Sequence, residues 1–320
     1  MRSIDWQDGH IVAIDQTRLP GELVVMEIHT VTELVDAIQR LAIRGAPALG
    51  AAGALGVAMA VREDQERDIA ALRAARPTAV NLAWGVDQAL ARHAEGPGAV
   101  LAAALEVLDA DAVRNRMLGE RGAAWLAERV QGPVVVQTHC NAGALACVEW
   151  GTALGVVRSL HERDRLGHVY VDETRPLLQG SRLTSWELTE IGIDHTVIVD
   201  SAAATVLARG LADAVVVGAD RITANGDVVN KIGTYPLALA AHRANRPFVV
   251  AAPESTIDPT ISSGLEVEIE IRDGDEVLAI GGLPGTATLN YAFDVTPADL
   301  VTAIVTEDRV IQPALGERPA

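Results

Sequence analysis

From about Gly132 onward the chain alternates short Val-rich runs with helical stretches, and this rhythm restricts it to few folds. The runs are 133–137, 168–172, 196–200, 214–218 and 247–251. Each is too short for a helix, is nearly continuous in apolar residues, and ends in a polar cluster. Strands buried on both faces read in this way, and intervening helical stretches make them βαβ units around a parallel sheet. The expectation is an α/β protein. Before this region the pattern differs. Short strands around 4–14 and 23–28 lead into helices, the first over 32–41, where apolar positions recur at helical spacing. A change of pattern near Leu118 to Gly122 divides the chain into 1–120, mainly helical with short strands, and 121–320, which carries the sheet.

A long uncharged run lies between Arg44 and Arg62. Its length approaches that of a membrane span, but it is mostly Ala and Gly and contains Pro47, so it reads as a tightly packed internal helix. Gly50, Gly53 and Gly56 would let another backbone come close, at a cost in helix propensity. A hydrophobic content of 49% over 320 residues suffices for a large core. The net charge of -17 argues against a nucleic-acid partner, which clustered Lys and Arg would have to hold. Cys140 and Cys147 show neither a disulfide framework nor zinc-ligand spacing, so a reducing compartment and no metal are expected. Residues 1–10 lack the basic and apolar segments of a secretory signal, which makes the cytoplasm the expected location.

In open parallel sheets ligands bind beyond the carboxyl ends of the strands. Those positions are unusually polar here: Thr138-His139-Cys140-Asn141, Asp172-Glu173-Thr174-Arg175, Asp200-Ser201, Asp220-Arg221 and Pro253-Glu254-Ser255-Thr256. No GxGxxG turn and no P-loop occurs, which removes support for nicotinamide and ATP chemistry.

Cys140 directly follows a strand, at the expected amino end of a helix over 144–156, where a helix dipole favours thiolate. A buried free cysteine is the plainer reading of the same position, and it is the one given to Cys147. A nucleophilic pair with the adjacent His139 is disfavoured, because neighbouring side chains usually point apart. Asp220 closes the most apolar strand, where partial desolvation would suit a general acid; a helix cap or a partner for Arg221 is the alternative. Asp200 reads as a cap for a helix over 202–208. Lys231 is the one lysine among 26 Lys and Arg, which suggests a need for a compact ammonium, as in phosphate binding. Arg44-Gly45-Ala46-Pro47 places a guanidinium and open backbone amides ahead of the Ala/Gly-rich helix, an arrangement able to receive a phosphate. Arg76 is a second loop arginine.

Together these segments resemble the methylthioribose-1-phosphate isomerases, a family related to the regulatory subunits of the translation initiation factor two B exchange complex. The resemblance rests on Arg44-Gly45-Ala46-Pro47-Ala48-Leu49-Gly50, Arg76-Pro77-Thr78-Ala79-Val80-Asn81-Leu82, Thr138-His139-Cys140-Asn141-Ala142-Gly143, Asp172-Glu173-Thr174-Arg175-Pro176 with Gln179-Gly180, Gly218-Ala219-Asp220-Arg221 and Asn230-Lys231-Ile232-Gly233-Thr234. Ala292-Phe293-Asp294-Val295-Thr296-Pro297 also fits. It implies a cofactor-independent aldose-to-ketose isomerase of the methionine salvage pathway. A homodimer is implied too, with a helical N-terminal domain and a Rossmann-like catalytic one. It makes Asp220 the proton donor and Cys140 the transition-state stabiliser, with Arg44, Gly45, Ala46, Arg76, Gln179, Asn230 and Lys231 at substrate. Departures at Cys147, Tyr291 and Gly85 leave the C5 substituent open, so ribose 1,5-bisphosphate and 5-deoxyribose 1-phosphate are alternative substrates. A non-catalytic regulatory subunit is the alternative of another class.

Overall fold

A computed structural model describes residues 2–63, 65–77 and 79–320. Contacts divide the chain into two compact units, Met1–Met117 with Ala142–Gly155, and Leu118–Asn141 with Val156–Ala320. A single cut at residue 120 therefore misses the excursion of Ala142–Gly155, which is tied by backbone to the first unit. Ser3 N–H donates to Val148 O at 2.9 Å, and the Gln16 side-chain amide donates to Leu145 O at 2.7 Å.

In the first unit, β1 (Ile4–Gln7), β2 (His10–Ile14) and β3 (Val25–Ile28) form an antiparallel sheet. The helices α1 (Val31–Gln39), α2 (Ala46–Arg62), α3 (Ile69–Arg73) and α4 (Val80–Leu90) follow, and α5 (Pro97–Arg129) runs past the end of this unit. Thr30 and Glu33 form a capping box that fixes the start of α1. The uncharged run is the internal helix α2, buried at every position from Ala48 to Ala60. Its small residues admit α4 at backbone distance. A Cβ built on Gly53 would lie 2.5 Å from Leu82 O, and one built on Gly85 only 1.9 Å from Gly50 O. Gly85, odd for a helix interior, is thus required by the close approach of α4 to α2.

The second unit holds β4 (Val134–Thr138), α6 (Ala153–Glu162, which starts just ahead of it), β5 (Leu166–Asp172), α7 (Ser185–Glu190), β6 (His195–Ile198), α8 (Ala203–Ala208) and β7 (Ala214–Val217). Then come β8 (Arg221–Thr223), β9 (Val228–Lys231), α9 (Thr234–Arg243), β10 (Phe248–Ala251), β11 (Ile257–Asp258), α10 (Asp275–Leu278), β12 (Phe293–Thr296), β13 (Ala303–Val305) and β14 (Val310–Ile311). The main sheet has the order β14-β13-β10-β7-β4-β5-β6 and is parallel except for β14. From β4 the chain builds outward through β5 and β6, returns to β7 on the other side, and continues outward through β10 and β13. The reversal lies between β4 and β7, the place where doubly wound sheets open to ligands. A smaller sheet, β11-β8-β9-β12, completes the unit. Among the described residues no helix is long and apolar enough to cross a membrane.

Candidate active site

Cys140 lies just beyond the carboxyl end of β4, and Asp220 just beyond that of β7, the two strands flanking the reversal. The helix expected over 144–156 is absent as such. A 3-10 turn, Ala144–Ala146, comes first, and α6 starts only at Ala153. Cys140 is therefore not at a helix N-terminus, and the dipole argument for its thiolate does not hold. Cys147 caps the 3-10 turn and is buried, as its plainer reading anticipates.

A different device holds Cys140. Its φ is +62°, in the left-handed region. Its N–H donates to the Thr174 hydroxyl at 2.8 Å, its carbonyl accepts from the Thr184 hydroxyl at 2.7 Å, and its side chain is almost wholly buried. Thr174 is itself at φ +66°, which is costly for a β-branched residue, and Leu178 follows at +58°. The turn after β5 is clamped at the same point. Asp200 accepts from the N–H groups of Thr174 and Arg175, both at 2.7 Å, and the Thr174 hydroxyl donates to Asp172 O at 2.9 Å. Asp200 opens a 3-10 turn and makes no side-chain cap, so its work is to pin the Thr174 turn and not to start α8.

Beneath Cys140 lies a buried ion pair that the sequence does not announce. His139 Nδ1 is 3.1 Å from Asp172 Oδ2, His139 Nε2 is 2.8 Å from Ile232 O, and Gln137 donates to Asp172 Oδ1 at 2.8 Å. Both ring nitrogens face acceptors, so the doubly protonated imidazolium satisfies both. Burial opposes that charge, but the hydrogen bond and field of Asp172 outweigh it, and His139 titrates above its ordinary value. Burial pushes the Asp172 carboxyl up as well, and the two titrate as one unit. The imidazole needs Gly233 opposite it: a Cβ there would lie 2.8 Å from Nε2, and Gly233 holds φ +103° as it starts α9.

Asn230 and Lys231 end β9. The Asn230 amide donates to the Thr234 hydroxyl at 3.0 Å. The Lys231 ammonium donates to Ala292 O at 2.9 Å and sits 4.4 Å from the centre of the Phe293 ring. Across the β9–β12 pairing, Asp294 accepts from the N–H groups of Gly233 at 2.8 Å and Tyr235 at 3.1 Å. Burial pushes this carboxyl up to about 6, against those hydrogen bonds and the charges of His139 and Lys231. Gln179 is buried and leads into a π-helical turn, Gly180–Thr184. Its Oε1, like Oε1 of Gln137, has no hydrogen-bond partner among the described residues. Asp220 is half-buried and donates its N–H to Val229 O at 3.0 Å. It precedes a strand, so it caps no helix, while Arg221 lies 3.7 Å from Asp258.

The remaining expected residues belong to the first unit. Gly45 is the N-cap of α2 at φ +95°, where a Cβ would strike Ala146 backbone at 2.5 Å or less, and Ala46 begins the helix with Arg44 just before it. Arg76 is half-buried ahead of α4, while Thr78 of its motif lies outside the described residues. Cys140, Gln179, Asp220, Asn230 and Lys231 thus belong to one unit, and Arg44, Gly45, Ala46 and Arg76 to the other. Asp172, Thr174 and Asp294 carry no role that the sequence alone predicts. Their signal was their place at strand ends or within a fitting motif.

The sequence model of the Initiation factor 2 subunit family matches residues 27–313. The chain belongs to that family. Within it, the chain is 52% identical over 99% of its length to a probable bifunctional methylthioribose-1-phosphate isomerase/methylthioribulose-1-phosphate dehydratase of Nocardia farcinica, of which it spans only 60%. It is 50% identical to a 5-deoxyribose 1-phosphate isomerase of Moorella thermoacetica, covering 97% of this chain and 94% of that one. It is 45% identical to a methylthioribose-1-phosphate isomerase of Desulforamulus reducens, covering 100% and 98%. The crystal structure of 5-methylthioribose 1-phosphate isomerase from Pyrococcus horikoshii OT3 is similar with a TM-score of 0.90 and 38% identity, over 98% of this chain and 92% of that one. A family structure described as translation initiation factor eIF-2B subunit delta from A. fulgidus gives a TM-score of 0.87 and 46% identity, over 99% and 97%. These family members share an α/β fold with a parallel sheet, and the isomerases among them act on sugar phosphates.

Proposed function

We propose that this protein is a cofactor-independent isomerase that converts 5-methylthioribose 1-phosphate to 5-methylthioribulose 1-phosphate in methionine salvage. The observation that carries the reading is the placement of Cys140 and Asp220 beyond neighbouring strands, β4 and β7, at the reversal of a doubly wound sheet. In this reading the second unit, Leu118–Asn141 with Val156–Ala320, is the Rossmann-like catalytic domain, and the first is a mainly helical N-terminal domain. The protein works in the cytoplasm as a homodimer.

The substrate presents one chemical difficulty. Phosphate blocks the anomeric carbon, so no free aldehyde exists until the ring opens. Asp220 supplies the proton to the ring oxygen, and a half-buried carboxyl is suited to that step. Hydrogen then moves from C2 to C1, the C2 hydroxyl returns its proton to the Asp220 carboxylate as the ketone forms, and Cys140 stabilises the charge that develops on the opened sugar. The rigid seating of Cys140 by Thr174 and Thr184 supports this role, since a stabilising group must be in place before the charge develops. Lys231, at the end of β9, receives the phosphate. Gln179 and Asn230 bind sugar hydroxyls, with the Gln179 oxygen awaiting a donor.

The 50% identity to the Moorella thermoacetica protein favours one second reading, in which the substrate is 5-deoxyribose 1-phosphate. The two substrates differ at C5 alone, so a panel of pentose 1-phosphates varied only at C5 decides between them. Ketose formation should be fastest with the methylthio compound.

A further inference from the structure

We propose that His10, Glu27 and His29 form a surface site for a divalent transition-metal ion of the zinc class, separate from the isomerisation chemistry. The register of the first sheet creates it. Ile11 pairs with Ile28 and Val12 with Glu27 on β2 and β3, so His10 stands opposite His29. Glu27, two residues before His29, projects from the same face. The sequence hides this, because residue 10 is far from the Glu-x-His of 27–29.

The three donors already converge. His10 Nε2 is 3.9 Å and His29 Nε2 3.7 Å from Glu27 Oε2, the imidazole centroids are 4.5 Å apart, and all three ligand atoms lie within 4.8 Å of one another. A tetrahedral zinc ion at about 2.0–2.1 Å from each donor would hold them about 3.3–3.4 Å apart. Small rotations of the exposed Glu27 and His29 side chains toward the half-buried His10 cover that difference. Both imidazoles already turn to the Glu27 carboxylate, so coordination exchanges these two long ion pairs for bonds to the metal. One other described group of this kind, His139 with Asp172 and Asp200, is excluded because its donors are committed to each other, to Ile232 O and to the Thr174 and Arg175 amides.

Two imidazoles and one carboxylate suit Zn²⁺, Co²⁺ or Ni²⁺ and disfavour Ca²⁺ and Mg²⁺, which prefer oxygen ligands. Three protein ligands leave a fourth position for water. The ion would clamp β2 to β3, and the acidic protein adds a general attraction for cations.

The test is titration of the full-length protein with Co²⁺, followed by visible absorption, and with Zn²⁺ by equilibrium dialysis and thermal unfolding. One equivalent should bind, Zn²⁺ should raise Tm, and Mg²⁺ should do neither. Affinity should fall at least about tenfold in each of His10→Ala, Glu27→Gln and His29→Ala. Glu27 and His29 are mostly exposed, so their variants test binding without risk to folding. No saturable binding would overturn the proposal. So would binding that survives the triple substitution, or sulfur-to-cobalt charge-transfer absorption, which would point to Cys140 or Cys147.

Discussion

The backbone N–H of Cys140 donates to the hydroxyl of Thr174 at 2.8 Å, and both residues hold φ above +60°. Two strained positions on neighbouring strand ends thus hold each other in place. Asp200 and Thr184 supply the rest of the clamp.

Thr174→Val keeps the shape and removes the hydroxyl that accepts from the Cys140 N–H and donates to Asp172 O. Stability should fall by about 1–3 kcal/mol in urea unfolding, and kcat should fall more than KM rises. Thr174→Ser should recover most of both. Equal losses in the Ser and Val variants would contradict the role given to the hydroxyl.

His139→Gln strands a buried carboxylate and should cost about 3–5 kcal/mol. The double variant His139→Gln with Asp172→Asn removes both charges and should lose less than the sum of the single changes. Additive losses in the thermodynamic cycle would show that the pair is not coupled.

Asp294 holds its proton up to about 6 in the fold, above an ordinary value of 3.8. A raised folded value gives stability that is fully present below 3.8 and is lost as pH rises through about 6. Asp294→Asn keeps an acceptor for Gly233 and Tyr235 and does not titrate. Its stability relative to wild type should therefore improve between about pH 4 and 7, by at most about 3 kcal/mol. A difference that stays flat across that range would contradict the assignment.

Gln179→Met removes a buried oxygen that lacks a partner. Stability should hold or rise by about 1 kcal/mol, while KM for the sugar phosphate rises. An unchanged KM would take Gln179 out of the substrate site.

The parallel sheet was legible because buried strands leave nearly continuous Val-rich runs, and their polar ends pointed to Cys140 and Asp220. The departure of the chain at Ala142–Gly155 was not legible. Ala144 to Val156 has helical composition, and what interrupts it is long-range: hydrogen bonds to Ser3 and Gln16 and the Gly143–Gly151 bridge. Gly85 reads as a flaw in α4 from sequence alone, because the Gly50 carbonyl that requires it belongs to another helix. The His139 ring turns away from Cys140 to Asp172, a residue 33 positions away that local sequence cannot pair with it. Which residues sit at strand ends can be read locally; which of them meet depends on strand order.

The most direct test of the central claim is turnover of methylthioribose 1-phosphate by the purified wild type, Cys140→Ala and Asp220→Asn proteins, followed as ketose formation. The account predicts conversion by the wild type and none by either variant, with far-ultraviolet circular dichroism and Tm unchanged. No conversion by the wild type, or near wild-type rates in either variant, would contradict it.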